Sequence, residues 1–324
     1  MLRIRFPFMA FLAVSLLCIV AGCAPQVIQS KNRDTEPHIK NGQYFTGDRA
    51  VLPVRSWLPE TTPAKVVVVA LHGFNDYSNA FTSPARYLSR HGIACYAYDQ
   101  RGFGNAPERG LWAGIDTYAA DLTGFVKALR RLYPDVPLYI LGESMGGAVT
   151  IVAMTGNNPP DADGAILVAP AVWARQTMPW YQRWLLAVAS HTVPWLELTG
   201  KGLGVIPSDN IEMRRALGRD PLVIKATRVD TLYGLSNLMD EAFARVDKLH
   251  IPALVQYGKH DQVIPKEPTF LMLEKVPHTT RKVFYDQGYH MLLRDLQGEK
   301  PLADIAVWVT DRNQPLPYGK DNWN

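Results

Sequence analysis

Apolar residues run without a break from Val66 to Leu71, as VVVVAL. A short β-branched run of this kind predicts a strand buried on both faces. Similar runs recur as ACYAYD, LYILG, GAILVA (Gly164 to Ala169), ALVQYG and RKVFYD. VLPVRSWLP, Val51 to Pro59, predicts an antiparallel edge strand. Helical patterns lie between these runs. From Tyr118 to Tyr133, for example, Leu122, Phe125, Val126, Leu129 and Leu132 form one apolar face. Strand and helix alternating in this order predict an α/β fold: a mostly parallel central sheet with helices on both faces. No internal repeat is visible.

The alternation stops between about Ala171 and Phe243. This segment carries Trp173, Trp180, Trp184 and Trp195, several prolines and helical patterning. It predicts a helical cap inserted over one end of the sheet. Trp180, Trp184 and Val188 recur at helical spacing, which predicts either packing between cap and body or the lining of an apolar pocket.

The first residues form a different pattern. Arg3 and Arg5 precede an uncharged stretch from Phe6 to Val20, and small residues lead to Cys23. This is the layout of an export signal, too short for a comfortable membrane span. The ending VAGC resembles a bacterial lipobox, which implies removal of residues 1–22 and lipidation of Cys23. The expected location is then a bacterial cell envelope, anchored to the membrane through Cys23, at the outer membrane in a Gram-negative cell. From Ala24 to about Lys40 the chain is polar and without apolar period, so residues 23–42 read as an acylated N-terminus and tether. Its seventeen residues from Ala24 to Lys40 could span at most about 60 Å. Residues 43–314 make the expected domain and 315–324 a C-terminal tail.

Composition changes this picture little. Hydrophobic residues make up 47% of the 324-residue chain, enough for a large core, and the net charge of +4 gives no case for a nucleic-acid partner. Beyond Cys18 and Cys23 only Cys95 remains, so the mature domain has no internal disulfide, and Cys95 reads as a buried strand residue. No paired Cys/His spacing or H-E-x-x-H suggests a metal, and no cofactor is expected. GKGLG at Gly200 to Gly204 lacks the ending of a phosphate loop and reads as a turn in the cap.

The candidate chemistry sits in LYILGESMGGAVT, Leu138 to Thr150. Gly142, Ser144 and Gly146 fit G-x-S-x-G, with a strand before and a helix after. The glycines allow a sharp turn that displays the serine hydroxyl, and the helix beginning at Met145 aims unpaired N–H groups at the same point. A serine nucleophile needs a base, and the base needs an orienting acid. Asp261, in YGKHDQVIP, and His290, in DQGYHMLL, each follow a predicted strand. His290 is the histidine that comes after all the other pieces. Asp286 is the alternative acid and His260 the alternative base. Asp99, in YDQRGFG, reads as fixing its loop with Arg101, and His72 as holding the loop after the VVVVAL strand. The N–H groups of Phe74 and Met145 could form an oxyanion hole.

LHGFNDYS, YDQRGFGNAP, LGESMGGAV, RDPLVIKAT, YGKHDQVI and GYHMLL run in order along nearly the whole domain. On these stretches the chain resembles the monoacylglycerol lipase and lysophospholipase branch of the α/β-hydrolases. The resemblance implies an α/β-hydrolase fold with a helical cap. It implies Ser144 as nucleophile, Asp261 as acid, His290 as base, and Phe74 and Met145 at the oxyanion hole. It also implies a serine hydrolase acting through an acyl-enzyme on single-chain acyl esters, a monoacylglycerol or a lysophospholipid. One position departs from the family: many members have histidine before the serine, where this chain has Glu143. The alternatives are an aminopeptidase-type hydrolase on the same fold, an inactive binding lipoprotein, and an acyltransferase.

Overall fold

The computed structural model describes residues 24–60, 63–202 and 204–321. The expected signal and Cys23 lie outside the described residues. In chain order the structure builds strands β1 (His38–Lys40), β2 (Gln43–Phe45), β3 (Val51–Trp57) and β4 (Val66–Leu71), helix α1 (Thr82–Arg90), β5 (Ile93–Tyr98), α2 (Ile115–Leu132), β6 (Leu138–Glu143), α3 (Met145–Met154) and β7 (Gly164–Val168). The cap segment follows as α4 (Trp180–Thr192), β8 (Glu197–Thr199), α5 (Ile211–Arg219) and β9 (Ala226–Arg228). The chain then returns to the body with α6 (Val229–Arg245), β10 (Ala253–Gly258), α7 (Lys266–Lys275), β11 (Thr280–Tyr285) and α8 (Glu299–Thr310).

The main sheet has the order β1-β2-β3-β5-β4-β6-β7-β10-β11. From β5 to β11 neighbours pair in parallel, whereas β1, β2 and β3 are antiparallel and β3 runs antiparallel to β5. Parallel strands buried on both faces explain the unbroken apolar runs. Along β4 the pleat sends Val67, Val69 and Leu71 into one core with α2, α3, α6 and α7, and Val66, Val68 and Ala70 into the other with α1 and α8. Burial of each such side chain contributes about 1.5–3 kcal/mol. Cys95 is buried on β5 as expected, and burial pushes its thiol pKa up.

Several expectations meet a different structure. β3 is not the edge strand, because the β1–β2 hairpin extends the sheet beyond it. The polar segment from Ala24 is packed against the body instead of leaving it. Ile28 is buried and its N–H bonds Trp112 O at 2.8 Å, while Arg33 pairs with Asp121. The expected C-terminal tail also returns: Lys320 makes a single antiparallel bridge with Phe284, and the Asp304 carboxylate accepts the N–H groups of Tyr318 and Gly319. In both cases the segment docks largely through backbone hydrogen bonds to distant residues, which leave no apolar period in the sequence.

The cap holds a two-stranded antiparallel sheet, β8 with β9, besides its helices. Its expected last part is not cap: α6 packs against α3 and buries Leu238, Met239 and Ala242 in the body's core. The Trp180, Trp184 and Val188 stripe is not packed into the core of the body. It faces outward, with Trp180 72% and Trp184 66% exposed.

Candidate active site

Ser144 sits between the carboxyl end of β6 and the start of α3. Its φ of 53° and ψ of −115° are a strained conformation for a residue with a side chain. Two contacts hold the turn. The Ser144 N–H bonds Val168 O at the end of β7 at 2.9 Å, and Ser144 O accepts the N–H of Ala171 at 2.9 Å. The flanking glycines are required by close approach. A Cβ on Gly142 would lie 2.4 Å from Gly146 O, and one on Gly146 would lie 2.1 Å from Leu71 O.

Asp261 follows β10 and His290 follows β11, so both reach the same edge of the sheet as Ser144. The structure brings the three together. His290 Nε2 lies 3.0 Å from Ser144 Oγ and Nδ1 lies 2.8 Å from Asp261 Oδ2. The other Asp261 oxygen accepts the N–H groups of Val263 at 2.8 Å and Ile264 at 3.0 Å. The carboxylate is thus saturated and fully buried, and it fixes the ring with Nδ1–H toward Asp261 and Nε2 toward the serine. Burial disfavours the imidazolium. The Asp261 carboxylate, with a smaller contribution from Glu143, outweighs it, and the His290 pKa is raised.

The alternative residues fall elsewhere. Asp286 is half exposed and pairs with Lys320 and Lys259. His260 packs against the Tyr289 ring with its backbone N–H on Gly288 O. Asp99 does not pair with Arg101. It accepts from Ser78 Oγ and from the N–H groups of Ser78 and Asn105, whereas Arg101 is held by Asp48 and Asp121. His72 does hold its loop: Gln100 N–H donates to Nε2 at 2.9 Å, so Nδ1–H donates to Gly73 O at 2.8 Å.

The loop after β4 approaches the serine closely. A Cβ on Gly73, the residue before Phe74, would lie 3.3 Å from Ser144 Cβ, and Met145 follows the serine as the first residue of α3. The cap is latched to this rim. Ile224 N–H bonds Asn75 O at 2.9 Å, Asn75 Nδ2 bonds Thr227 Oγ1 at 2.7 Å, and Met291 N–H bonds Pro207 O at 2.9 Å. Ser144 and His290 are both buried beneath it.

Sequence reasoning missed one group. Arg294 lies four residues after His290 and is buried between two carboxylates: Asp76 at 2.8 Å, from the Phe74 loop, and Glu143 at 3.2 Å, next to Ser144. One guanidinium therefore joins the three loops that carry the serine, the imidazole and the Phe74 amide. Burial pushes the Glu143 pKa up, and Arg294 opposes that shift. No local signal marks it, since Asp76, Glu143 and Arg294 are far apart in the sequence.

A parallel sheet with a strained serine turn, a capped rim and a histidine between serine and aspartate define a serine hydrolase of the α/β-hydrolase class. The chain belongs to the family described as serine aminopeptidase, S33 (Hydrolase_4), which matches residues 62–297. It is similar to the monoglyceride lipase of Rattus norvegicus, 28% identical over 290 residues that cover 85% of this chain and 90% of the relative. It is equally similar to the monoacylglycerol lipase of Mycolicibacterium smegmatis, 28% identical over 275 residues that cover 78% and 90%. Among solved structures, a soluble variant of Saccharomyces cerevisiae monoglyceride lipase with a substrate analogue superposes with a TM-score of 0.71. It is 18% identical and covers 90% of this chain and 99% of its own. The resemblance to the monoacylglycerol lipase branch holds over most of the chain.

Proposed function

We propose that this protein is a carboxylester hydrolase of single-chain acyl glycerols, a monoacylglycerol or lysophospholipid hydrolase, working through an acyl-enzyme on Ser144. The observation that carries it is the continuous hydrogen-bonded line from Ser144 Oγ through His290 to Asp261. Ser144 Oγ attacks the ester carbonyl carbon while its proton passes to His290 Nε2. The carbonyl oxygen takes the negative charge against the Phe74 and Met145 N–H groups, where each donor contributes about 2.7–4 kcal/mol in comparable enzymes. Collapse breaks the acyl C–O bond, and His290 gives its proton to the leaving glycerol oxygen. A water then adds to the acyl carbon, His290 takes its proton, and the fatty acid leaves as the proton returns to Ser144. Asp261 keeps the imidazole in the tautomer that can accept at Nε2 throughout.

The acyl-ester assignment is supported by the monoglyceride lipases that match this chain over most of their length. The lipobox-like VAGC supports lipidation of Cys23 and a place at the bacterial envelope, where such esters arise from membrane lipids. A second reading, cleavage of N-terminal residues from peptides, has the family's description and one contact in its favour. Glu143 Oε1 is buried beside the nucleophile with no hydrogen-bond partner among the described residues, and an ammonium could use it. Its other oxygen is already neutralised by Arg294, which favours the ester.

A panel of monoacylglycerols, lysophospholipids and aminoacyl amides separates the two. The ester reading expects turnover of the acyl esters. Turnover of the amides alone would replace it with the peptidase. Mass spectrometry of the protein purified from bacterial membranes tests the anchor, with an acylated Cys23 at the N-terminus as the expected product.

A further inference from the structure

The apolar face of α4 has no partner in the fold. Trp180, Trp184, Leu185 and Val188 project from one side of the helix, and Trp195 and Leu196 continue the surface in the turn that follows. Exposed apolar side chains gathered in this way mark an interaction surface. Residues 171–228 hold eight Lys/Arg against four Asp/Glu, of which Arg175 and Arg228 are paired with Asp240 and Asp230 just beyond this span. The excess that remains is small and positive, and exposed aromatic and apolar side chains with such a charge suit a lipid surface.

The N-terminal segment ends at this face. Gln26 N–H bonds Asp230 Oδ2 at 3.2 Å, and Arg228 bonds both the Gln26 side chain at 3.2 Å and the Asp230 carboxylate at 2.6 Å. Asp230 and Val229 in turn bond Pro194 O and Leu196 O, on either side of Trp195. Behind them Val27 bridges Trp112 and Ile28 is buried. Only Ala24 and Pro25 separate Cys23 from Gln26, three steps of the chain and a reach of at most about 11 Å. A free leash from the body would have let the enzyme tumble at the membrane.

We propose that residues 24–28 are an orienting clip: they hold the acylated N-terminus beside the cap, so that the lipid anchor and the apolar face of α4 enter the same bilayer together. This rests on the lipid-anchored reading above. The cap that meets the membrane is the one latched over Ser144, so a single-chain lipid would leave the bilayer next to the site that cleaves it. The anchor raises the effective concentration of the cap at the surface, and the clip keeps that concentration high by fixing its direction.

The test uses the full lipidated protein in mixed phosphatidylethanolamine and phosphatidylglycerol vesicles, with hydrogen–deuterium exchange and hydrolysis rates as readouts. One variant carries about ten Gly/Ser residues between Ala24 and Pro25, a coil spanning roughly 17 Å. A second is Trp184→Glu, on the exposed face. In the wild type, amides of 180–198 should gain protection on vesicles. In both variants that protection should fall, and hydrolysis of vesicle-borne monoacylglycerol should drop by about tenfold or more, while a soluble short-chain ester is cleaved at the wild-type rate. An insertion variant that matches the wild type on vesicles would overturn the clip. Protection of 180–198 without vesicles would overturn it too, since a second protein copy would then cover the face. Absence of an acyl group on Cys23, read by mass spectrometry, is a separate result: it removes the anchor itself and the clip with it.

Discussion

Arg294 and Glu143 form a buried ion pair, Nη2 to Oε2 3.2 Å, one residue ahead of Ser144, and the same guanidinium holds Asp76 at 2.8 Å. Its removal leaves two carboxylates buried without a counter-charge. Arg294→Met should lower stability by about 3–5 kcal/mol, read as a lower urea midpoint, and should reduce kcat because three loops lose their common tie. Arg294→Lys, which keeps the charge but loses the fork, should fall between. A midpoint equal to that of the wild type would mean that the pair contributes no net stability.

The pH dependence follows from His290. The base works as neutral imidazole, and its pKa lies above the ordinary value of about 6.5 because the Asp261 and Glu143 carboxylates outweigh the effect of burial. The acid limb of kcat/KM, which reports the free enzyme, should therefore lie above pH 6.5. Glu143→Gln removes one of the two negative charges that raise it, so the limb should move to lower pH. A flat rate from about pH 5 to 8 would contradict His290 as the base.

Asp261 has a narrower role, since both its oxygens are committed. Asp261→Asn keeps the volume but presents a donor toward Nδ1 and favours the wrong tautomer. A loss of about 10⁴ in kcat with an intact fold is expected. The Asp286→Asn variant, altered at a half-exposed site, should keep nearly full activity.

These outcomes show what the chain reveals before it folds. G-x-S-x-G after an apolar strand, and Asp261 and His290 each just past a strand, were legible because a parallel sheet puts successive strand ends on one edge. The strand runs were legible for the same reason. The Arg294 tie was not: Asp76, Glu143 and Arg294 are far apart in sequence, and each reads alone as an ordinary charge. The periodicity of Trp180, Trp184 and Val188 revealed that α4 has an apolar face but not what it faces. Arg101 was paired with its sequence neighbour Asp99, while the fold gives it Asp48 and Asp121. The docking of residues 24–37 depends on hydrogen bonds to Trp112, Asp121 and Asp230, for which a polar segment carries no advance signal.

Two glycines should respond in opposite directions to alanine. At Gly146 the new methyl would sit 2.1 Å from Leu71 O, so Gly146→Ala should open the turn and abolish both activity and normal yield. At Gly218, near the end of α5, nothing lies within 4 Å of the added carbon. Gly218→Ala should raise stability by about 0.5–1 kcal/mol through helix propensity alone, seen as a higher unfolding midpoint. Equal effects at the two sites would contradict the close packing described at the serine turn.

The most direct measurement combines turnover of a monoacylglycerol by Ser144→Ala with mass spectrometry of the wild type after reaction with a fluorophosphonate. A single adduct on Ser144 is expected, together with a fall of about 10⁴–10⁶ in kcat for the variant. A variant that keeps a tenth of the wild-type rate, or an adduct on another residue, would place the nucleophile elsewhere and overturn the account.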